Sequence, residues 1–260
     1  MSFENRIALV TGAGAGIGRA TALALAAKGA TVAVLSRTKS ELDELSAEIA
    51  DQGGNALPLP ADVSDKADMQ AAFDRIEETY GRLDMVFANA GINGTWAPIA
   101  DLEVDEWDLV NAVNLRGTFL TVHHAIPLMR EHGGSIVITS SINGTRTFTT
   151  AGATAYATTK AGQLAFMQMA AVELGPHKIR VNAICPGQID TGINAKTTRR
   201  NLESITMRPA EYPKGHIPLT GTKGGSAEEV ADLAVFLFSD AARHITGTPV
   251  WIDGAQSLLV

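Results

Sequence analysis

A glycine-rich turn between a strand and a helix is the feature that most constrains how this 260-residue chain can fold. Arg6–Val10 has the composition of a buried strand, and Thr11–Gly18 follows it directly. The alanine-rich segment Ile17–Lys28 then predicts a helix, which Gly29 ends. A second strand at Thr31–Leu35 completes a strand–helix–strand unit of about thirty residues, the building block of a parallel sheet.

The glycines of this turn predict a dinucleotide-binding site. They allow a tight turn and a close backbone approach, while the following helix offers free N–H groups to a pyrophosphate. Their spacing is GxxxGxG instead of the commoner GxGxxG, so the prediction depends on the position of the turn between this strand and this helix. We expect the cofactor to contact Gly12, Gly14, Gly16, Ile17 and Gly18.

The residues after the second strand bear on which dinucleotide binds. An NAD site usually places Asp or Glu there to accept a hydrogen bond from the ribose 2′-hydroxyl. This chain has Ser36 and Arg37, which can donate to a 2′-phosphate and pair with it. The sequence therefore favours NADP, with NAD as an alternative; a solvated surface arginine would also explain Arg37.

Strands and helices continue to alternate along the chain. Strands are predicted at Ala56–Pro60 and Leu83–Ala88, and helices at Ser40–Asp51 and Asp65–Tyr80. This pattern predicts one doubly wound α/β domain of the Rossmann type over residues 1–260, with helices on both faces of a parallel sheet. Ligands of such sheets bind beyond the carboxyl ends of the strands. The candidate cofactor residues at these ends are Asp62, Val63, Asn89, Ala90 and Gly91.

Three helix boundaries carry capping signals. Thr38 with Glu41 predicts a capping box for the helix at Ser40–Asp51, and Ser226 with Glu229 predicts one for the last helix. Asp105 is expected to begin a long helix that runs to about residue 132. Asn114 lies inside that helix, where an asparagine side chain usually faces solvent or bonds locally.

The second half of the chain holds a tyrosine and a lysine one helical turn apart. Ala155–Gly175 has the periodicity of a helix, so Tyr156 and Lys160 share a face. A neighbouring ammonium favours the phenolate, and we therefore expect a lowered pKa for the tyrosine. Ser141 follows a strand predicted at Ser135–Ser140 and can reach the same place. The group suggests proton transfer to a polarised carbonyl, although an ordinary exposed Tyr/Lys pair explains the motif when it is taken alone.

The stretch from residue 188 to about 225 is the least regular part of the chain and predicts a substrate loop or lid. From Asp190 to Gly225 it holds six Lys or Arg residues against three acids. This excess fits an anionic substrate, such as a sugar acid or an acyl group on an acidic carrier. A solvated loop face is the simpler explanation.

Composition argues against several other classes of protein. A net charge of -7 and a pI of about 5.4 disfavour nucleic acid and anionic membranes as partners. No apolar run is long enough to span a membrane, and residues 3–6 do not begin a signal peptide. Cys185 is the single cysteine, and no metal-ligand spacing occurs, so neither disulfides nor a metal are expected. We expect a cytoplasmic protein.

These pieces together resemble the short-chain dehydrogenase/reductase family over nearly the whole chain. The resemblance implies a sheet of seven parallel strands, a nicotinamide cofactor and assembly into a homotetramer through long helices. It also implies that Pro186, Gly187, Ile189 and Thr191 bind the cofactor. The matching segments are Thr11–Gly18, Asp62–Val63, Asn89–Gly91, Asn114–Gly117, Ser140–Ser141, Tyr156–Lys160, Arg180–Asn182 and Pro186–Gly187.

The resemblance further implies a catalytic tetrad of Asn114, Ser141, Tyr156 and Lys160. In relatives the tyrosine is the acid/base and the serine holds the substrate oxygen. The lysine lowers the tyrosine pKa and binds the nicotinamide ribose, and the asparagine anchors a water of the proton relay. The serine-to-tyrosine separation is longer than is common, so either Ser140 or Ser141 can be catalytic. We choose Ser141.

The implied reaction is reversible hydride transfer between NADP(H) and a small-molecule secondary alcohol or ketone. Two other functions remain open. One is a non-catalytic dinucleotide-binding sensor or scaffold, and the other is an isomerase or lyase that retains its cofactor on the same framework. The presence of both Tyr156 and Lys160 favours an enzyme over a sensor.

Overall fold

The computed structural model describes residues 1–205 and 215–259. Its strands are β1 (Ile7–Thr11), β2 (Thr31–Ser36), β3 (Asn55–Pro60), β4 (Met85–Ala88), β5 (Thr95–Trp96), β6 (Gly134–Thr139), β7 (Ile179–Pro186), β8 (Thr198–Arg199) and β9 (Pro249–Ile252). Its α-helices are α1 (Gly16–Ala26), α2 (Lys39–Asp51), α3 (Lys66–Tyr80), α4 (Val104–Val110), α5 (Gly117–Met129), α6 (Thr154–Leu174) and α7 (Ala227–Phe238).

Seven of these strands form one parallel sheet in the order β3-β2-β1-β4-β6-β7-β9. The chain moves outwards in one direction from β1 to β3 and then returns to place β4 on the other side of β1. Loops at the carboxyl ends of β1 and β4 therefore separate and leave a crevice between them. The predicted doubly wound α/β sheet is confirmed.

Helices cover both faces of the sheet because the strands are apolar on both sides. Along β1, Leu9 belongs to one buried cluster, while Ala8 and Val10 belong to the other. Along β6, Ile136 and Val137 divide in the same way. Such alternation follows from the two-residue period of a strand. One cluster includes side chains of α3, α5 and α6, and the other includes those of α1, α2 and α7.

One of the predicted capping boxes forms and one does not. Before α7, the hydroxyl of Ser226 accepts from the Glu229 N–H at 3.2 Å, and the Glu229 carboxylate accepts from the Ser226 N–H at 2.8 Å. At α2, Thr38 occupies the N-cap but its side chain makes no capping hydrogen bond. The Glu41 carboxylate lies instead against Gly14 in the glycine-rich turn, so the predicted box for α2 is wrong.

The predicted long helix from Asp105 to about residue 132 is divided. It begins at Val104, where the Glu106 carboxylate accepts from the Glu103 N–H at 3.0 Å. Residues Asn111–Arg116 then form a π-helical segment, and α5 continues to Met129. The wider π turn accommodates an extra residue and changes the direction of the side chains within it. Asn114 in this segment is fully buried, so the expected solvent-facing or local arrangement is wrong.

After β7 the chain leaves the seven-stranded sheet, and it returns near the same place before α7. Ile189 forms a bridge with Gly225, which brings the two ends of this stretch together. The first part of this stretch contains β8, which pairs with β5 in a separate two-stranded parallel sheet. The sequence analysis did not predict this small sheet. We call residues 190–224 the lid segment. Three of the charged residues counted in the sequence prediction for it lie outside the described residues: Arg208, Glu211 and Lys214. Within the described ranges, no helix has the length and apolarity needed to cross a membrane.

Candidate active site

A cavity of about 920 Å³ opens at the carboxyl ends of the sheet strands. It extends from Arg37, which follows β2, past the glycine-rich turn to the lid segment. Most of the residues that the sequence predicted for the site line this cavity. They are Gly12, Gly16, Ile17, Arg37, Asn89, Ala90, Gly91, Ser141, Tyr156, Lys160, Pro186, Gly187, Ile189 and Thr191.

The glycine-rich turn is built from positions where a larger residue does not fit. Gly12 and Gly16 have φ of 67° and 54°, the left-handed region that glycine adopts without strain. A β-carbon on Gly12 would lie 2.9 Å from the Cα of Ala90, and one on Gly18 would overlap the carbonyl oxygen of Gly12. Gly12 and Gly16 line the cavity, whereas Gly14 and Gly18 lie behind it. The glycine at 18 therefore lets the first turn of α1 lie directly against the glycine-rich turn at Gly12.

Thr11, which the sequence analysis missed, joins the ends of β1 and β4. Its hydroxyl donates to the Phe87 carbonyl at 3.3 Å and accepts from the backbone N–H groups of Asn89 and Ala90 at 3.0 and 3.1 Å. The Asn89 side chain extends this network by donating to the Thr11 carbonyl at 3.1 Å and accepting from Thr139 at 3.0 Å. The ends of β1, β4 and β6 are therefore held together beneath the cavity.

Asn114 lies behind the cavity wall and holds the segment that follows β4. Its amide group donates to the Ile92 carbonyl at 2.9 Å and to Thr159 at 3.1 Å, while its oxygen accepts from the Ile92 N–H at 2.8 Å. Gln163 of α6, buried and also missed from the sequence, donates to the Asn114 backbone carbonyl at 2.9 Å. These contacts fix Gly91 and Ile92 against the helix that carries Lys160.

The two adjacent serines have different partners. The Ser140 hydroxyl is buried and donates to the Lys160 carbonyl at 2.8 Å, so its proton is already used. The Ser141 hydroxyl accepts from the Asn143 N–H at 3.1 Å and interacts with Tyr156. Among the described residues, the Ser141 hydroxyl donates to no backbone carbonyl, and it contacts Tyr156 within the cavity. This arrangement favours Ser141 over Ser140 as the serine that would contact a substrate oxygen.

Tyr156 and Lys160 both line the cavity, but they do not form the predicted electrostatic pair. Burial raises the pKa of Tyr156, and the hydrogen bond with Ser141 opposes that rise. The expected lowering of the Tyr156 pKa by Lys160 is therefore wrong. The Lys160 amine points to the Thr139 carbonyl at 2.8 Å and lies 5.4 Å from the Tyr156 ring centroid. Burial lowers the pKa of Lys160 to about 8.

The region after β2 and β3 contains the remaining predicted cofactor residues. Arg37 lies 3.8 Å from the Asp62 carboxylate and has a largely exposed side chain. Partial burial tends to raise the Asp62 pKa, but hydrogen bonds from Ser64 and the charge of Arg37 lower it overall. Ser36 donates weakly to the Thr38 carbonyl at 3.5 Å, and Val63 is buried against Gly117. Ser36, Asp62 and Val63 thus lie beside the cavity wall and not within it.

The lid end of the cavity has a polar wall that no sequence motif indicated. Gln188 contacts His216 through Oε1 and Nε2 at 2.7 Å, and its backbone N–H donates to Gln256 at 2.9 Å. Further lining side chains include Trp96, Asn143, Thr149 and Lys196. Residues 1–205 and 215–259 contain no group of three or more His, Cys, Asp or Glu side chains able to hold a metal ion.

The shape and chemistry of this cavity fit a nicotinamide dinucleotide. The N-terminus of α1 opens into the cavity at Gly16 and Ile17, where free N–H groups can receive a pyrophosphate. At the other end, a β-carbon on Gly91 would lie 3.6 Å from the Lys160 amine. The absence of a side chain at Gly91 therefore leaves space in the cavity next to the proposed catalytic groups. A volume of about 920 Å³ is at the upper end of ordinary small-molecule and cofactor sites.

The sequence matches a family profile described as enoyl-(acyl carrier protein) reductase over residues 12–255. The chain is 37% identical over 259 residues to levodione reductase of Leifsonia aquatica, covering 98% of this chain and 95% of that protein. It is also similar to the crystal structure of a 3-ketoacyl-ACP reductase from Sinorhizobium meliloti 1021. The identity is 57%, the TM-score is 0.93, and the match covers 98% of this chain and 100% of that one.

Two further solved structures contain cofactors. A 3-ketoacyl-(acyl-carrier-protein) reductase from Brucella melitensis, complexed with NADH, is 30% identical with a TM-score of 0.85, covering 98% of this chain and 100% of that one. A short chain dehydrogenase from Burkholderia cenocepacia J2315, in complex with NADP, is 33% identical with a TM-score of 0.84, covering 98% and 99%. The chain belongs to the short-chain dehydrogenase/reductase family. It is therefore an NAD(P)-dependent oxidoreductase, as the resemblance implied.

Proposed function

We propose that this protein transfers hydride reversibly between NADP(H) and a secondary alcohol or ketone, with Tyr156 as the general acid/base. The observation that carries the proposal is the convergence of Ser141, Tyr156 and Lys160 on one cavity whose other end is the glycine-rich turn. The bound nicotinamide would supply the hydride in reduction and accept it in oxidation. The chain's own residues would position the reactants and handle the proton.

Several parts of the cavity would hold the cofactor. The free N–H groups at Gly16 and Ile17 would receive the pyrophosphate, and Gly12 and Ala90 would allow its close approach. Ile189 and Thr191 would lie beside the nicotinamide, following the family resemblance. The Lys160 amine, positioned by the Thr139 carbonyl at 2.8 Å, would bind the ribose hydroxyls.

The proton would move through the Tyr156 hydroxyl. In carbonyl reduction Tyr156 donates its proton to the substrate oxygen, and in alcohol oxidation its phenolate accepts one. Ser141 would donate a hydrogen bond to the same oxygen and hold it in place, since its proton has no backbone acceptor of the kind that Ser140 uses. Because burial raises the Tyr156 pKa, formation of the phenolate would require a nearby positive charge. Lys160, whose amine lies 5.4 Å from the Tyr156 ring centroid, would supply this charge only if it moved closer to the phenol oxygen during the reaction. The role of Asn114 in anchoring a relay water stays a prediction.

Replacing Tyr156 with Phe tests the proposed acid/base role. The variant should bind NADP as tightly as the wild type by isothermal titration calorimetry, because the phenol oxygen is not needed to retain the dinucleotide. Its kcat should fall roughly a thousandfold, within the usual range for loss of a general acid/base. Tyr80→Phe on α3 makes the same chemical change away from the cavity and should retain full activity.

Three results would contradict this proposal. If Tyr156→Phe turned over as fast as the wild type, the tyrosine would not be the proton donor or acceptor. A wild type that converts substrates without any net change in nicotinamide absorbance at 340 nm would instead support an isomerase or lyase. Failure of the wild type to bind NADP or NAD would contradict both the cofactor assignment and the reaction.

We further propose a preference for NADP, based on Arg37 at the cavity wall next to Ser36. Arg37 can exchange its long 3.8 Å contact with Asp62 for a stronger pairing with a 2′-phosphate. The Glu41 carboxylate, close to Gly14 and Ser36, opposes such a phosphate. Glu41→Gln should therefore increase the NADP preference in kcat/KM, while Arg37→Asp should reverse it. A wild type that prefers NAD would contradict the assignment.

Assembly into a homotetramer is proposed from apolar side chains on adjacent helices. Leu109, Phe119, Met169 and Val172, on α4, α5 and α6, are 52%, 47%, 70% and 79% exposed. Such clustered exposure is typical of surfaces that a partner covers. Light scattering coupled to size-exclusion chromatography should give four times the mass of the 27.3 kDa chain, and Met169→Glu should reduce that mass. The single-domain organisation with a lid at about 188–225, and the cytoplasmic location, stay predictions.

A further inference from the structure

The lid end of the cavity carries a positive charge that the proposed cofactor does not require. Among the described residues that line the cavity, the charged ones are Arg37, Lys160 and Lys196, and none is an aspartate or glutamate. This is unusual for a chain whose net charge is -7. Arg37 and Lys160 are assigned to the two ends of the dinucleotide. Lys196 lies on the lid segment and has no assigned role.

The backbone that carries Lys196 is anchored. Lys196 ends a short 3-10 turn, Ile193–Lys196, and Thr197 follows it as a buried residue. The Thr197 hydroxyl donates to the Ile193 carbonyl at 3.3 Å and accepts from the Asn93 side-chain amide at 2.8 Å. β8 then pairs with β5 directly after it. The backbone of Lys196 is therefore held at the cavity wall, and its side chain is exposed.

Neighbouring cations of the lid segment are engaged elsewhere. Arg200 donates two hydrogen bonds to the Glu106 carboxylate at 2.9 and 2.7 Å. Arg199 lies over the Trp96 ring, 5.3 Å from its centroid. Lys196 forms no ion pair with any acid in the two described ranges of the chain. Its charge is therefore available to a ligand.

The side chains on the cavity wall next to the lid add hydrogen-bond donors to this charge. The Gln188 side-chain oxygen contacts His216 Nε2 at 2.7 Å, and within the described part of the chain the Gln188 amide N–H groups have no acceptor. The Asn143 side-chain oxygen accepts from Thr150 at 2.8 Å, and its amide N–H groups likewise have no acceptor among residues 1–205 and 215–259. A wall with one ammonium and several N–H donors is complementary to an oxyanion.

We propose that Lys196 binds an oxyanion of the substrate, a carboxylate or a phosphate located on the lid side of the reacting carbonyl. This inference rests on the proposed function, because it assumes that the carbonyl lies at Tyr156 and Ser141. The substrate class that follows is an oxo acid, or an oxoacyl thioester whose carrier arm ends in a phosphate. A neutral ketone would leave the lysine and its neighbouring donors without a partner.

Matched substrates separate these classes. We would compare kcat/KM for acetoacetate with that for neutral acetylacetone, and for acetoacetyl-CoA with that for neutral acetoacetyl-N-acetylcysteamine. The wild type should prefer the anionic member of at least one pair by about tenfold, the size expected for a hydrogen bond to a charged group. A preference within the first pair assigns a carboxylate, and one within the second assigns a phosphate. Equal values within both pairs would overturn the oxyanion site.

Lys196→Met tests the residue itself. The anion preference should disappear through a rise in KM, with kcat and the calorimetric Kd for NADP unchanged. Lys223→Met removes a positive charge from the same lid segment outside the cavity wall and should leave the preference intact. A preference that persists in Lys196→Met, or a weakened NADP Kd as its main effect, would overturn the proposal and assign the lysine to another role.

A binding measurement keeps this test separate from the proposed reaction. Calorimetric titration of 3-hydroxybutyrate and of 3-hydroxybutyryl-CoA into NADPH-saturated wild type and Lys196→Met measures binding without turnover, because the hydroxy compound and the reduced cofactor cannot react with each other. The wild type should bind at least one of the two about tenfold more tightly than the variant. Unchanged binding of both compounds in the variant would contradict the oxyanion site, whatever the activity. If the wild type reduced none of the ketones but still bound the anion in a way that depends on Lys196, the proposed hydride transfer would be contradicted and the oxyanion site would stand.

Discussion

The two sides of the cavity are held in different ways. On the sheet side, Thr11, Asn89 and Thr139 join three parallel strands through hydrogen bonds, and Thr11 and Thr139 are buried. On the lid side, the described residues reach the rest of the protein through a two-residue strand pairing, β5 with β8, and through a few side chains such as Arg200. The Arg200 and Glu106 side chains are 34% and 25% exposed.

This difference separates two functions of the protein. The sheet side is fixed by backbone geometry and burial, so the groups proposed for proton transfer and cofactor binding depend on the fold as a whole. The lid side can change sequence or position without disturbing the sheet, because few of its contacts belong to the core. We therefore expect substitutions on the sheet side to affect stability and turnover together. Substitutions on the lid side should mainly affect substrate KM.

The largest expected effect is at Gly18, on the sheet side. A methyl group there would overlap the Gly12 carbonyl oxygen, which belongs to the backbone and cannot rotate away. Gly18→Ala should therefore destabilise the protein by at least about 3 kcal/mol and abolish NADP binding. Urea unfolding followed by circular dichroism, together with calorimetric titration of NADP, measures both effects.

A matched control is available at the end of α6. Gly175 has φ of -52° and ψ of -46°, and a β-carbon added there would have nothing within 4 Å. Gly175→Ala should stabilise the protein by about 0.5 kcal/mol because it restricts the unfolded chain. If Gly18→Ala were as well tolerated as this control, the glycine-rich turn would not be the rigid element described above.

An intermediate effect is expected for Arg200→Met on the lid side. The substitution removes two hydrogen bonds to Glu106 on α4 and one to the Asp101 carbonyl just before α4, and these bonds attach the lid segment to that helix. Substrate KM should rise about tenfold, with the NADP Kd and the sheet-side stability nearly unchanged. Steady-state kinetics at saturating NADPH, with Arg130→Met as an exposed control, checks this. A fall in NADP affinity equal to the rise in KM would contradict the separation of the two sides.

The smallest effect concerns pH. Hydrogen bonding to Arg200 is the main cause that lowers the Glu106 pKa from 4.5 to about 2. Because the folded pKa is depressed, this carboxylate contributes stability that is fully present above pH 4.5 and is lost as pH falls towards 2. Solvent screening keeps the contribution modest. Urea unfolding at pH 6 and pH 3 should show a smaller loss for Glu106→Gln than for wild type; equal losses would contradict the assigned pairing.

The sequence predicted what depends on local pattern. Each sheet strand named in the sequence analysis exists within one or two residues of its predicted bounds, because buried runs followed by turn residues mark the ends of parallel strands. Gly12 and Gly16 were identified from the position of their turn, and their positive φ values explain why glycine is required. Tyr156 and Lys160 were identified from helical spacing, and both line the cavity.

What the sequence did not predict depends on tertiary contacts. The π-helical segment and the burial of Asn114 require Ile92 and Gln163, which lie far away along the chain. Glu41 carries a capping signal, yet its carboxylate lies at the glycine-rich turn because the folded chain brings the two together. The raised Tyr156 pKa follows from burial, which the spacing of Tyr156 and Lys160 does not reveal. The polar lid wall comes from loops without a repeating pattern.

The π-helical segment makes this enzyme sensitive to a change in length of one residue. If Ala112 were deleted, the helix could close into regular α turns, and every later side chain of α5 would rotate by about 100° relative to α4. Asn114 would then lose Ile92, and the segment beside Lys160 would lose its support. Helices usually tolerate conservative substitutions on their surface. Here the number of residues between α4 and α5, and not only their identity, determines whether Asn114 reaches Ile92.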